Sequence, residues 1–170
     1  MEDYVSYGDV TIGEDVFIGK YCVLGCPREE TIKRRGIDKE ALSQTVAPVR
    51  IGDRSLIFNF VSVYEGTEIG PECVVEDHVR IGYGSRIGCS VRVMYGSYIC
   101  DRVVIGDYAR IAGFICDGSE IGERSSVMGN LVHEYTQPHA DWWEVDEPSP
   151  VVRPNSVVGF GATVVGGVEI

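Results

Sequence analysis

The chain of 170 residues is long enough for one domain, and its 26 acidic against 15 basic residues give a net charge of −11. This balance argues against a nucleic-acid partner, because nucleic-acid binding requires a basic surface. No segment has the length of a membrane span and the N-terminus is no signal peptide, so we expect no membrane partner. The six cysteines include no CxxC pair, which favours reduced thiols and a cytoplasmic location over a zinc–thiolate site.

A six-residue repeat governs most of the chain. Ser6, Ile12, Ile18 and Leu24 hold this spacing near the N-terminus, and an uninterrupted run of repeats follows from Ile51 to Ile111. Period six fits neither a helix nor a simple alternating strand. It predicts short strands joined by turns, with the first and fifth residue of each repeat pointing inward. Three strands then close a triangular coil of eighteen residues, and coils stack about 4.8 Å apart.

Two excursions and one slip interrupt the repeat. The first excursion runs from about Cys26 to Gln44 and contains a possible helix and the basic run at 33–35, which indicates either a solvated face or contact with a phosphate. The register then slips by two between Ile111 and Ile121, with Ile115 interpreted as a fifth position. The second excursion runs from about Asn130 to Pro150, and the repeat returns from Val152.

We therefore predict one domain over residues 1–170, with excursions at about 26–44 and 130–150 and roughly seven coils in all. The sequence stops inside a repeat, at Val168-Glu169-Ile170, without a capping segment. Solenoid ends need a cap. We accordingly expect either a piece of a longer chain that continues into further coils or an end covered by a partner.

The repeat resembles that of the hexapeptide-repeat acyltransferases, and the resemblance covers nearly the whole chain. It implies an all-β fold, a single-stranded left-handed parallel β-helix with two loop excursions, assembled as a homotrimer. The handedness comes from the resemblance alone, since parallel crossovers are in general right-handed. The family also implies an acyltransferase that uses acetyl-CoA and no metal, with a hydroxyl or amine of a sugar or nucleotide sugar as acceptor.

Acyl transfer needs a general base at the acceptor and donors for the oxyanion. The first candidate base is His133, which lies where the repeat breaks into the second excursion. Its surroundings are similar to those of the sugar O-acetyltransferases, although Val-His-Glu replaces their Thr-His-Pro. The resemblance implies that neighbouring residues contact the acceptor and that the later glycine-rich turn contacts acetyl-CoA. The acceptor set is Asn130, Glu134, Tyr135, Trp142 and Trp143, and the turn is Gly159, Phe160, Gly161 and Ala162.

The second candidate base is His78, on a coil that resembles the nucleotide-sugar N-acetyltransferases, with our best alignment placing their histidine one position earlier, on Asp77. Three coils separate it from His133, or about 14 Å. The third histidine, His139, lies within the second excursion and is expected to face solvent.

Two alternatives from other classes stay open. A γ-class carbonic anhydrase uses this fold with three zinc-binding histidines, but its ligands are close in sequence or on neighbouring coils, unlike His78, His133 and His139. A non-catalytic β-helix module for assembly is the other alternative, and the missing end favours it. The paired tryptophans of the second excursion suit either a stack on substrate or an anchor on a neighbouring subunit.

Overall fold

The computed structural model describes residues 4–137 and 147–170, in which the chain forms two helices and 22 strands. In chain order they are β1 (Val5–Ser6), β2 (Val10–Ile12), β3 (Phe17–Ile18), β4 (Val23–Cys26), α1 (Glu29–Arg35), α2 (Lys39–Ser43), β5 (Val49–Ile51), β6 (Leu56–Ile57), β7 (Ser62–Tyr64), β8 (Glu68–Ile69), β9 (Val74–Val75), β10 (Arg80–Ile81), β11 (Arg86–Ile87), β12 (Arg92–Val93), β13 (Tyr98–Ile99), β14 (Val104–Ile105), β15 (Arg110–Ile111), β16 (Phe114–Ile115), β17 (Glu120–Ile121), β18 (Ser126–Val127), β19 (Asn130–Val132), β20 (Val151–Val152), β21 (Val157–Val158) and β22 (Thr163–Val165).

Every third strand belongs to the same parallel sheet. Sheet A starts with β1 and has eight strands, and sheets B and C start with β2 and β3 and have seven each. Strands that are neighbours in a sheet are eighteen residues apart in the uninterrupted run, as in the pairing of Ile81 with Ile99. Backbone N–H groups donate to the next coil, for example Gly70 N to Ile87 O at 2.8 Å. The chain is therefore a single-stranded parallel β-helix, as the repeat predicts.

The interior is filled by the two residues of each repeat that were predicted to point inward. On sheet A the first position is fully buried at Val63, Ile81 and Ile99, and the fifth position is buried at Val61 and other aliphatic or small residues. Some fifth positions are hydroxyl residues that remain satisfied, because Thr67 Oγ1 donates to Gly82 O at 2.9 Å. The β-branched side chains suit this narrow, strand-lined interior.

Two coils are shorter than the repeat predicts. Ile115 pairs with Ile99, so it is the first residue of a new strand and not the fifth of the preceding repeat. A glycine at the corner makes the short turn possible: a Cβ on Gly113 would come within 2.3 Å of Gly129 O. The chain also stays in sheet A through Val132, so it leaves the prism after that residue and not at Asn130.

Both excursions leave from the same corner of the prism. We name the corners by the sheets they join: the A–B corner, the B–C corner and the C–A corner. The first excursion connects β4 to β5 and the second connects β19 to β20, so both start at the A–B corner. Within the described ranges helix occurs in the first excursion alone, as predicted, and neither helix is long and apolar enough to cross a lipid bilayer.

Coil stacking makes glycine a steric requirement at several of the positions that follow an inward aliphatic residue. A Cβ on Gly70 would lie 2.6 Å from Gly88 O, whereas a Cβ on Gly159 would have no neighbour within 4 Å. We expect Gly70→Ala to lower the free energy of unfolding by about 1–3 kcal/mol, because backbone atoms of the next coil cannot move aside. Gly159→Ala is the matched control and should leave the denaturation midpoint nearly unchanged. Equal midpoints for the two variants would contradict the stacking geometry.

Candidate functional site

His133 lies at the A–B corner, immediately after β19. The pairing of Ile115 with Leu131 places Asp117 at the equivalent position on the preceding coil, and Gly166 takes that position on the following coil. The imidazole is half-buried, and its Nδ1 atom is buried without a hydrogen-bond partner among residues 4–137 and 147–170. Its ring meets that of Tyr135 edge-on, with centroids 6.0 Å apart. An unsatisfied, buried ring nitrogen at a corner is a candidate for proton transfer.

The base of the second excursion is tied to the prism. The Glu147 carboxylate accepts hydrogen bonds from the backbone N–H of Thr136, at 3.2 and 3.3 Å, and of Gln137, at 3.4 Å, which closes the two ends of the loop on each other. The Ser149 hydroxyl donates to Asp117 O at 2.5 Å. These contacts fix the short segment that carries His133 and its two successors.

The Tyr135 phenol stays protonated at neutral pH. Partial burial raises its pKa above the ordinary value, and the nearby Cys116, Cys100 and Asp117 raise it further. Burial also raises the pKa of the Cys100 thiol to about 12 and the pKa of Cys116 in the same direction. The corner next to His133 therefore offers a phenol that can donate a hydrogen bond, and no thiolate nucleophile.

The remaining predicted acceptor and cofactor residues lie elsewhere. Asn130 occupies the opposite end of β19, where its Oδ1 accepts from Phe114 N at 3.1 Å. The turn that includes Gly159 and Ala162 lies beside it at the C–A corner, because Asn130 N donates to Ala162 O at 2.8 Å. Phe160 in this turn is 96% exposed. Within one chain the structure thus separates His133 from this turn by the length of a strand, about 10 Å.

His78 belongs to an aromatic column on the C–A corner. We define the aromatic column as Tyr21, Phe60, His78 and Tyr95, whose neighbouring ring centroids are 5.1, 4.8 and 5.5 Å apart. The imidazole is exposed and lies parallel to the Phe60 ring, with an interplanar angle of 3°. His78 shares its corner with the 159–162 turn, four coil steps away. The structure does not bring it near His133.

The first excursion forms a pocket that the sequence analysis did not predict. The pocket has a volume of about 220 Å³ and lies at the A–B corner between α1, the end of β7 and Tyr83. Its base is Glu65, which is 3% exposed. The Glu65 carboxylate accepts from Arg28 N at 3.1 Å, Thr31 Oγ1 at 2.5 Å and Ala47 N at 3.0 Å.

No local pattern could have shown this pocket, because the partners of Glu65 are up to 37 residues away in sequence. The Arg28 guanidinium completes it by stacking on the Tyr83 ring, 3.9 Å from the ring centroid. Only the basic run at 33–35 in the same excursion gave a sequence signal, and it pointed to the right segment.

A second concavity runs along the outer face of sheet B. This groove has a volume of about 520 Å³ and extends from β2 to β14 beside the row of glycines at the B–C corner. Its charged side chains include Arg50, Glu68 and Arg86, of which the first two form an ion pair at 2.8 Å. The last strand of the groove, β14, is two coil steps from β20.

Three predicted residues lie outside the described ranges: Trp142, Trp143 and His139. Among residues 4–137 and 147–170 no group of three His, Cys, Asp or Glu side chains is arranged to hold a metal ion. All six cysteines are free.

Solved structures share this architecture, although no protein-family model and no curated protein matches the chain. LpxA from Acinetobacter baumannii is 15% identical over 96% of this chain and 66% of its own, with a TM-score of 0.56. This likeness confirms the predicted fold. The chain is a left-handed parallel β-helix of the kind found in hexapeptide-repeat acyltransferases.

Two further matches have lower TM-scores. The acetyltransferase domain of PglB from Neisseria gonorrhoeae, solved with acetyl-CoA, is 17% identical over 70% of this chain and 51% of that one, with a TM-score of 0.49. GDP-perosamine N-acetyltransferase from Caulobacter crescentus, solved with CoA and GDP-perosamine, is 14% identical over 96% of this chain and 54% of that one, with a TM-score of 0.43. The chain spans about half to two thirds of the length of these structures.

The buried Glu65 carboxylate should matter more for stability than an exposed one in the same coil. We expect Glu65→Gln to lower the free energy of unfolding by about 1–3 kcal/mol. The amide nitrogen that replaces one carboxylate oxygen cannot accept a hydrogen bond, so at least one of the three donors loses its acceptor. Glu68→Gln is the control: its partner Arg50 is exposed, and such surface pairs contribute about 0.2–1 kcal/mol. Chemical denaturation of both variants measures the difference. A larger loss for Glu68→Gln would contradict the role assigned to Glu65.

Proposed function

We propose that the chain is an acyltransferase that moves an acetyl group from acetyl-CoA to a hydroxyl or amine of a sugar or nucleotide sugar. The observation that carries the proposal is the Nδ1 of His133, which is buried at the A–B corner without a hydrogen-bond partner among the described residues, in the coil between those of Asp117 and Gly166. The shared fold is consistent with it, since LpxA is named for O-acylation of UDP-N-acetylglucosamine. Six free thiols agree with a reducing compartment such as the cytoplasm.

In this proposal His133 is the general base. Its neutral imidazole takes the proton of the acceptor hydroxyl or amine while the acceptor atom attacks the thioester carbonyl. The imidazolium then returns that proton to the departing sulfur, so that the products are the acylated acceptor and free CoA. The Tyr135 phenol is protonated at neutral pH, and in this proposal it donates a hydrogen bond to the oxygen that becomes negative in the transition state. Glu134 and the two tryptophans of the loop are proposed to contact the acceptor.

We also propose a homotrimer, in which the site is completed between chains. The predicted acetyl-CoA turn, with Gly161 and the exposed Phe160, is separated from His133 within one chain, so a neighbouring chain is the better source of these contacts. Sheet A offers an apolar surface for such packing: Tyr98 is 45% exposed and stacks on Phe114 with centroids 5.6 Å apart. Exposed aromatic patches of this kind are typical of subunit interfaces.

The catalytic proposal predicts that His133→Ala loses far more activity than His78→Ala. Removal of a general base costs about 10²–10⁴-fold in turnover. His78, in contrast, has no catalytic role in this proposal and only stacks within the aromatic column. Thiol release from acetyl-CoA with a panel of amino and hydroxyl sugars and nucleotide sugars measures both variants, in the full-length protein. Unchanged turnover in His133→Ala would remove this residue as the base, and a large loss in His78→Ala would move the site to the C–A corner. No thiol release by the wild type would favour the assembly module.

The assembly proposal predicts a trimer at micromolar concentration by light scattering. Tyr98→Glu should shift the trimer toward monomer, because it places a charge in the apolar surface. Tyr108→Glu is the matched control, since Tyr108 is 58% exposed but lies at the B–C corner. A wild-type monomer, or equal dissociation in both variants, would contradict this interface.

A further inference from the structure

In the pocket of the first excursion, the positively charged side chains outnumber the carboxylates. Three guanidinium groups line it, from Arg28, Arg34 and Arg35, against the carboxylates of Glu30 and Glu65. Glu65 already accepts from two backbone N–H groups and a hydroxyl. The pocket therefore has an excess of donors over acceptors.

The ion pairs show which donors remain. Glu30 is shared between Arg34, at 2.8 Å, and Arg28, at 3.5 Å. The Nε atom of Arg28 is buried and lies 3.9 Å from Glu65 Oε1, which is too far for a hydrogen bond, so it has no hydrogen-bond partner in the described part of the chain. Arg35 forms no ion pair with any residue in the described part of the chain. A buried guanidinium N–H that lacks an acceptor is costly, so an acceptor supplied by a ligand would relieve it.

The geometry suits an oxyanion with several oxygens. The Arg28 guanidinium lies over the Tyr83 ring, with its Cζ atom 3.9 Å from the ring centroid, and this contact helps to position its donors. Planar, fixed guanidinium groups are preferred for phosphate because they bind two oxygens at once. A volume of about 220 Å³ accommodates a phosphate or diphosphate but is small for a whole nucleotide. We propose that this pocket binds the diphosphate group of a phosphorylated ligand through Arg28 and Arg35.

The position of the pocket relates it to His133. Tyr83 follows β10 by two residues and His133 follows β19 by two residues, so both are at the A–B corner. Three coil steps separate them, or about 14 Å. The pantetheine arm of CoA is a long extended chain between its diphosphate and its sulfur, so one CoA molecule can reach both places, whereas the single sugar ring of a nucleotide sugar is too short to do so. This link rests on the proposed function, whereas the diphosphate site itself does not.

Titration calorimetry of the full chain at low ionic strength tests the site, with inorganic diphosphate, CoA and UDP as separate probes. Arg35→Gln should weaken binding of the diphosphate by about tenfold or more, and added salt should weaken it in the wild type. Lys33→Gln is the matched control: it removes the same charge from α1, but Lys33 pairs with Glu29 and does not line the pocket. It should change the affinity by less than about twofold.

Each result decides the proposal. Sensitivity of CoA binding to Arg35→Gln would assign the site to the acyl donor, and sensitivity of UDP binding would assign it to a nucleotide sugar. No binding of any probe, no effect of Arg35→Gln, or an equal effect of Lys33→Gln would overturn it. Because binding is measured without turnover, diphosphate binding in a protein that releases no thiol would leave the pocket standing and reject the acyl transfer.

Discussion

The hydrogen bonds between successive coils are the interaction on which the rest of this structure depends. Strand N–H groups such as Gly70 N donate to carbonyls of the next coil, and corner N–H groups such as His78 N donate to the preceding one, so equivalent residues lie directly above one another. Stacking in turn dictates which residues fit: aliphatic or small residues inward, and glycine wherever a Cβ would meet the next coil. Corner carboxylates and amides support the same stacking, as when Asp101 Oδ1 accepts from Tyr83 N at 2.9 Å.

The regular prism is interrupted by two excursions, and both the candidate site and the pocket of the first excursion lie at the one corner where these excursions leave it. The first excursion is anchored by Glu65 and the second by Glu147, each of which accepts from backbone N–H groups near the ends of its loop. Elsewhere several arginines are neutralised by acidic residues of an adjacent coil, as in the pairs Arg54–Glu72 at 2.7 Å and Arg92–Glu76 at 2.7 Å. Arg35 has no ion pair among residues 4–137 and 147–170, and it lines the pocket of the first excursion, where a ligand could supply its counter-charge.

The sequence predicted the fold in most of its detail because a strict period constrains every coil in the same way. The inward positions, the sheet register from Ile51 to Ile111 and the helical content of the first excursion followed from spacing alone. Handedness did not, since it required a resemblance. From the sequence we placed the shortened turn after Ile115, whereas it comes before this residue. The two residues that the turn lacks belong to a corner, and the spacing of the inward residues does not show at which corner the chain is shorter.

The site was less predictable because it depends on contacts between distant segments. His133 could be placed at a corner from the break in the repeat, but the separation of Asn130 and the 159–162 turn from it arises from the length of β19. The Glu65 pocket joins residues that no local motif connects. The most direct test of the account is a crystal structure of the full-length protein with CoA. We predict the sulfur beside His133 at the A–B corner. A sulfur beside His78 at the C–A corner would contradict the account.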